Sequence, residues 1–302
     1  MSFKSEKFLI IAGYTLVSLI WGSTWLGIKI GLESVPPFFG VALRFTVAFA
    51  ILTTILLFQK QRVPLSRNDI FLYIQLGICS YSIPFALVYW GEQYIPSSLA
   101  SILFAFYPFV VVMFSHYMLD REKINAYKLL GILSGFIGLF LIFGSDFDLS
   151  NANTHGMMAI IGSVLLQGMS LVLVKRYGKH IPPVAMNVGG MLVGLPIMFA
   201  IAFTVESFSN VRFDAKGILS ILYLGTFGTV VTFVIYYWLL KRMQALFLSF
   251  ISFITPILAV IFGTLVLDET LSPHIFSGAV LVLCGIAIAN GKELLELLKL
   301  RK

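Results

Sequence analysis

Charge is scarce in this chain. Asp, Glu, Lys and Arg together make up 12% of its 302 residues, against about a quarter in soluble domains. So few charges cannot wet a globular surface, and a soluble fold is excluded. Cysteine is scarcer still. Cys79 and Cys284 both sit inside apolar runs, where they read as packing residues, and no Cys/His cluster has the spacing of a metal site. Paired acids within the apolar runs, a His/Glu metal motif and a Gly-x-Ser-x-Gly elbow are all missing. An intramembrane enzyme would need such a constellation, so neither catalysis nor a cofactor is expected. No filter-like loop or ring of charges points to a channel. The net charge is +7, yet the basic residues are spread between apolar runs, so nucleic acid is not an expected partner.

What remains is apolar: 59% of the residues are hydrophobic and the mean hydropathy is +0.95. Runs of about 20 residues, enough to cross a bilayer as helix, recur along the whole chain. They predict an all-α polytopic membrane protein with ten transmembrane helices at 8–30, 37–58, 70–92, 97–119, 125–144, 156–176, 183–205, 215–240, 245–267 and 273–291. The first apolar run is too long for a signal peptide and is read as a retained helix. Of the 21 Lys and Arg residues, Lys29, Arg212 and Lys216 fall on one side, Arg44 lies within a run, and the rest fall on the other side. Basic loops stay in the cytoplasm, which puts both termini there. The tail at 292–302 is cytoplasmic in this scheme, with leucines spaced for the inner interface or for the plain end of the last helix.

The chain is also written twice. A shift of 148 residues carries Tyr89-Trp90 onto Tyr237-Trp238, Gly77 onto Gly225, Pro108 onto Pro256 and Asp120 onto Asp268. One residue fewer carries Glu122 onto Glu269, Gly131 onto Gly278 and Gly138 onto Gly285, and a shift of 146 carries Gly22 onto Gly168 and Pro36-Pro37 onto Pro182-Pro183. Rare residues in a nearly constant register predict two units, 8–146 and 155–291. Five helices per unit is an odd number, so the second unit enters the membrane inverted, with a site expected where the units meet near the midplane.

The stretches "YTLVSLIWGSTWLGIKIGLESVPPFFGVALRF" (14–45) and "YWGEQYIPSSLASILFAFYPFVVVMFSHYMLDREKINAYKLLGILSGFIGLFLI" (89–142) resemble the EamA repeat. The features that carry the likeness are Trp21-Gly22, Arg44, Pro108, Glu122 and the Gly131/Gly138 run, echoed by Pro256, Glu269, Gly278 and Gly285. The resemblance covers nearly the whole chain as two units. It implies a member of the ten-helix branch of the drug/metabolite transporter superfamily, whose members export amino acids, other metabolites or drugs. The second unit departs where polarity matters, since Gln167 stands opposite Trp21, Gly190 opposite Arg44 and Leu240 opposite Glu92. Any substrate site is therefore lopsided.

Arg44 falls about eight residues into its helix, about 12 Å deep at 1.5 Å per residue. It either snorkels to the outer headgroups or faces a wet cavity, where it would hold a substrate carboxylate by two parallel hydrogen bonds. Glu92, the lone carboxylate between Ile70 and Leu119, either caps a solvated outer turn or lines the outer vestibule and binds a substrate ammonium or a proton. Trp21, Ser23, Thr24 and Trp25 form a polar-aromatic island in the first helix, serving either helix packing or the site, and Trp25 is placed in the interfacial belt. Tyr81, Tyr89, Tyr107, Gln167 and Tyr237 add hydroxyls, rings and an amide suited to small amphipathic molecules. Pro108 and Pro256, at matching mid-membrane positions, mark kinked or gating helices. The glycines of the fifth helix serve close packing within the chain or a dimer face.

These features predict a secondary carrier that exports amino acids or similar small metabolites by alternating access. The alternative is efflux of drugs or other metabolites; a channel or an intramembrane enzyme is disfavoured. Expected partners are the lipid bilayer, the small-molecule substrate and protons. The expected assembly is a monomer or weak homodimer in a bacterial inner membrane.

Overall fold

The computed structural model describes residues 3–118, 126–143, 151–240, 242, 251–289 and 291. Among them every regular element is helical. We label the helical segments α1 (Phe3–Gly31), α2 (Pro37–Phe58), α3 (Arg67–Gly91), α4 (Ser97–Met118), α5 (Ala126–Phe143), α6 (Ala152–Tyr177), α7 (Pro183–Val205), α8 (Ala215–Gly225 continuing through Thr226–Val231 and Thr232–Leu240), α9 (Ile251–Leu267) and α10 (Pro273–Ala289). Seven are long and apolar enough to cross a membrane, namely α1 to α4 and α6 to α8, and α5, α9 and α10 contain shorter apolar stretches. Residues 119–125, 243–250 and 292–302 lie outside the described residues, so Glu122 and the expected interfacial tail do too.

Local chemistry explains the helix starts. α2 and α7 each begin at a proline, whose missing N–H falls among donors that are free anyway. Ser66 and Asp69 form a reciprocal cap at the start of α3, and Asp69 also holds His180 of the α6–α7 turn at 2.7 Å. Asn151 caps α6 and Asp214 caps α8. Two helices are wound wide in one stretch each: α3 at Gly77–Ser82 and α8 at Thr226–Val231. These π turns lie one residue out of register under the 148-residue shift. Such turns release main-chain carbonyls that an α-helix would use.

The helices of one unit pack chiefly on those of the other: α1 on α8 and α9, α2 on α7 and α8, and α4 on α6 and α9. Most of the buried apolar side chains form one cluster, with Phe45, Leu52, Leu103 and Met191 among its fully enclosed members. α5 and α10 stand aside and pack mainly on each other. A Cβ on Gly138 would stand 2.6 Å from the Gly278 carbonyl oxygen, and one on Gly285 the same distance from that of Gly131. Gly278 and Gly285 are the repeat counterparts of Gly131 and Gly138, so the contact is exchanged between equivalents as across a two-fold axis. The glycine stripe therefore packs inside the chain, and a dimer face is not where it points. Gly138→Ala is expected to lower the thermal midpoint of the purified protein in detergent by several degrees, because the obstacle is main chain and cannot swing aside; overpacking typically costs about 1–3 kcal/mol. An unshifted midpoint would show that α5 and α10 separate freely.

Candidate functional site

Arg44 is 3% exposed. It does not snorkel. Its Nε donates to Thr229 Oγ1 at 3.0 Å and its Nη2 to the Gly228 carbonyl at 3.3 Å, both in the π turn of α8. The two units thus meet here through a buried cation. Thr229 in turn donates to the Leu224 carbonyl, and Thr232 to that of Gly228. The third guanidinium nitrogen, Nη1, is buried with no hydrogen-bond partner among the described residues. The guanidinium carbon lies 4.8 Å from the Phe85 ring centre and 5.7 Å from that of Phe45, within cation–π range.

The lopsidedness expected from sequence turns out to be an exchange. At the repeat-related contact Gly190, in α7 of the second unit, takes the place of Arg44, and Tyr81, in the π turn of α3 of the first unit, takes the place of Thr229. A Cβ on Gly190 would come within 2.7 Å of the Tyr81 ring. One of the two contacts is therefore filled from the helix side and the other from the π-turn side, and both filling side chains come from the first unit. Tyr81 donates to Asn187 Oδ1 at 2.7 Å and packs on Phe45 and Phe233. Thr229→Val is expected to destabilise the protein by about 1–3 kcal/mol, since it leaves Arg44 Nε buried without an acceptor. Thr229→Ser is expected to restore the thermal midpoint; equal midpoints for all three forms would show that Nε finds another acceptor.

Aromatic rings continue from Arg44 into α1. Trp21 is half-buried, 6.4 Å from Phe233 and 5.1 Å from Tyr236. Thr24 is buried, with its hydroxyl on the Trp21 carbonyl and its methyl 2.9 Å from where a Cβ on Gly228 would stand. Ser23 meets the Tyr223 hydroxyl at 2.5 Å. Trp25 corrects the belt placement: it is 9% exposed and packs edge-on against Phe104, on which Tyr107 stacks. Gln167 bonds Ser163 within its own helix, and among the described residues no hydrogen bond ties it to the Arg44 group. The side chain of Tyr237 lies outside the described residues. Ahead of Pro108, α4 is interrupted between Phe104 and Tyr107, whereas α9 runs unbroken through Pro256.

The other charge expected at the site, Glu92, stands just beyond the last turn of α3 and is fully buried. A solvated turn carboxylate is thereby corrected. Lys29 lies beside it, and its ammonium donates to the main-chain carbonyls of Glu92 at 2.5 Å and Ile95 at 2.9 Å. Tyr89 has Arg44 and Glu92 as its charged neighbours, and the Arg44 guanidinium is close enough to act on its hydroxyl, although no hydrogen bond of good geometry forms there among the described residues. Sequence reasoning counted Lys29 only toward orientation, noted Glu269 only as a feature of the repeat, and missed Glu206; the two carboxylates close the same end of the bundle. Glu206, after α7, accepts from the Phe38 and Phe39 N–H groups at the start of α2. Burial pushes its carboxyl above the usual range despite those two donors. Glu269, after α9, accepts from the N–H and the hydroxyl of both Ser97 and Ser98 at the start of α4. At this end a vestibule of about 450 Å³ lies among the α1–α2, α3–α4 and α7–α8 turns.

A duplicated helical bundle whose two halves meet over a buried cation, aromatic rings and a vestibule is the build of a membrane transporter. The comparisons agree. Residues 8–144 and 154–291 each match the EamA-like transporter family, and the chain belongs to that family. It is 30% identical to the uncharacterized transporter YoaV of Bacillus subtilis, over 92% of this chain and 95% of that one. Protein PagO of Salmonella typhimurium is 28% identical over 86% of each chain. The uncharacterized inner membrane transporter YedA of Escherichia coli is 27% identical over 91% of this chain and 89% of its own. A solved structure titled only as a crystal structure of protein shares the fold, with a TM-score of 0.67 at 18% identity over 93% of this chain and 96% of the other.

Proposed function

We propose that the protein is a secondary carrier exporting amino acids or similar small metabolites by alternating access. In this proposal it has ten helices in two inverted five-helix units, sits in a bacterial inner membrane, and keeps both termini in the cytoplasm. The observation that carries the substrate class is Arg44, a permanently charged group buried where the two units meet, with one nitrogen uncommitted and aromatic rings around it. Such a nitrogen favours an anionic oxygen, and the rings suit an apolar or aromatic side chain beside it. The exchange of the glycine contacts between α5 and α10 supports the inverted arrangement. Phosphorylated sugars would ask for more than one deep cation. Lys29, which acts on Glu92 together with Arg44, already donates to two main-chain carbonyls.

Counterflow in proteoliposomes tests this directly. Vesicles preloaded with single unlabelled amino acids are expected to accelerate entry of labelled phenylalanine, and the panel ranks the substrates. Absence of trans-stimulation across the whole panel would overturn the amino-acid assignment, and lipophilic cations would be the next panel.

A further inference from the structure

Transport of a carboxylate over Arg44 leaves Glu92 without a role. Its main chain is satisfied, the N–H donating to the Val88 carbonyl at 2.9 Å and the carbonyl accepting from Lys29. Its side chain is not: both carboxyl oxygens are buried with no hydrogen-bond partner among the described residues. Every packed element that brings charge can be named. α1 brings Lys29, α2 brings Arg44, and the turn after α9 brings Glu269; α3 brings Tyr89. α4 brings only the Ser97 and Ser98 hydroxyls, already given to Glu269. α6 packs against Gly91 through Gly156 and Ile160, and its nearby His155 is exposed. Lys29 does not form an ion pair with the carboxylate; its ammonium bonds the main chain of the turn.

An ionised carboxylate with neither water nor a donor is costly, and such a group takes a proton instead. Burial holds the Glu92 carboxyl well above the usual carboxylate range, Lys29 and Arg44 opposing this and Glu269 adding to it. Between the vestibule and the Tyr89–Glu92 stretch lies one small void. The vestibule is lined by Val35, Trp90 and Tyr94. Val35 also lines a void of about 10 Å³, shared with Gly31, Gly40, Tyr89 and Ser220, which is room for about one water. Gly40 lets the Tyr89 ring approach to 3.1 Å from where a Cβ would stand, so Tyr89 lines that void, and Glu92 follows it three residues on in the chain.

We propose that Glu92 is a proton-binding site, filled from the vestibule past Val35 and Tyr89, and that giving up its proton draws Lys29 from the main-chain carbonyls onto the carboxylate, loosening the α3–α4 turn. The proton comes from bulk water and returns to it, and no other bond changes. The consequence for transport rests on the carrier reading; the binding of the proton does not. The test is therefore made in two parts. Infrared difference spectra of the purified full-length protein, titrated with acid and base, are expected to show a carboxylic-acid carbonyl band that survives at neutral pH. That band is lost in Glu92→Gln and shifted in Glu92→Asp, which keeps the acid should the amide variant not fold. No such band in the wild type, or the same band in both variants, overturns the proposal. In proteoliposomes, Glu92→Gln is expected to flatten the pH dependence of phenylalanine flux; an unchanged pH profile returns Glu92 to the role of a turn residue. A band that behaves as described alongside absent amino-acid counterflow would sink the substrate assignment and leave the proton site standing.

Discussion

Arg44→Ala is expected to abolish counterflow of carboxylate-bearing substrates while the protein still folds. The loss follows from what the free nitrogen is there to do. A charge-assisted hydrogen bond contributes about 1.5–3 kcal/mol, so losing a hold on a carboxylate by Nη1 and the second N–H of Nη2 removes on the order of 3 kcal/mol, about a hundredfold in affinity. Folding survives because the partners are not stranded. Thr229 keeps its bond to the Leu224 carbonyl at 2.9 Å, and the Gly228 carbonyl keeps the Thr232 hydroxyl at 2.9 Å. Arg44→Lys separates charge from shape: an ammonium restores the positive point but not the planar fork, and flux is expected to fall between wild type and Arg44→Ala. Counterflow beside a gel-filtration profile measures both halves. A monodisperse Arg44→Ala protein with undiminished flux would remove Arg44 from the substrate path.

Arg44 and Glu92 were legible in the sequence because a charge inside a long apolar run has few reasons to be there. Their partners were not. Thr229 and the Gly228 carbonyl resemble many other hydroxyls and carbonyls in apolar helices, and only the wide winding of α8 turns them toward Arg44. That winding depends on which carbonyl each N–H chooses, which side-chain periodicity does not report. The duplication was legible from Pro36-Pro37 against Pro182-Pro183 and from the glycines of α5 and α10. Its most informative mismatch, Gly190 opposite Arg44, could be read only as asymmetry until Tyr81 was seen filling the space. Trp25 misled because depth along a helix says nothing about which way the ring faces; it turns inward to Phe104. Glu92 misled in the same manner. Turns are usually wet, but this one is covered by α1, α6 and the residues after α9.

Glu269→Gln is expected to give the largest loss of stability among single changes at that end of the bundle. Glu269 follows Asp268, whose φ of 53° lies in the left-handed region and turns the chain back so that the Glu269 N–H reaches the Gly263 carbonyl at 3.2 Å. Gly263 is needed there, because a Cβ on it would stand 2.5 Å from a Glu269 carboxyl oxygen. The carboxylate so placed takes four donors at distances of 2.6 to 2.9 Å, at the positive end of α4. Desolvation raises its pKa, but the donors from Ser97 and Ser98 outweigh it, and the carboxyl sits below its ordinary range. An amide can accept only on one side; its NH₂ would face the N–H and hydroxyl of the other serine. A loss on the order of 3 kcal/mol follows, at the low end for four such bonds because the group is partly wet and screened. The sign with pH is fixed by the lowered pKa: the stabilisation is full above the unfolded value and fades as pH falls through the folded one. Thermal melts should therefore show the wild type losing midpoint on acidification below about pH 4.5, with Glu269→Gln lower at neutral pH and flatter across that window. Parallel curves for the two proteins would mean that α4 is held by packing alone. If the curves converge, Glu269 is a charged latch between the second unit and the first, set beside Glu92, and the two neighbouring carboxyls are shifted in opposite directions: burial pushes the unpartnered Glu92 up, while the donors from Ser97 and Ser98 hold Glu269 down.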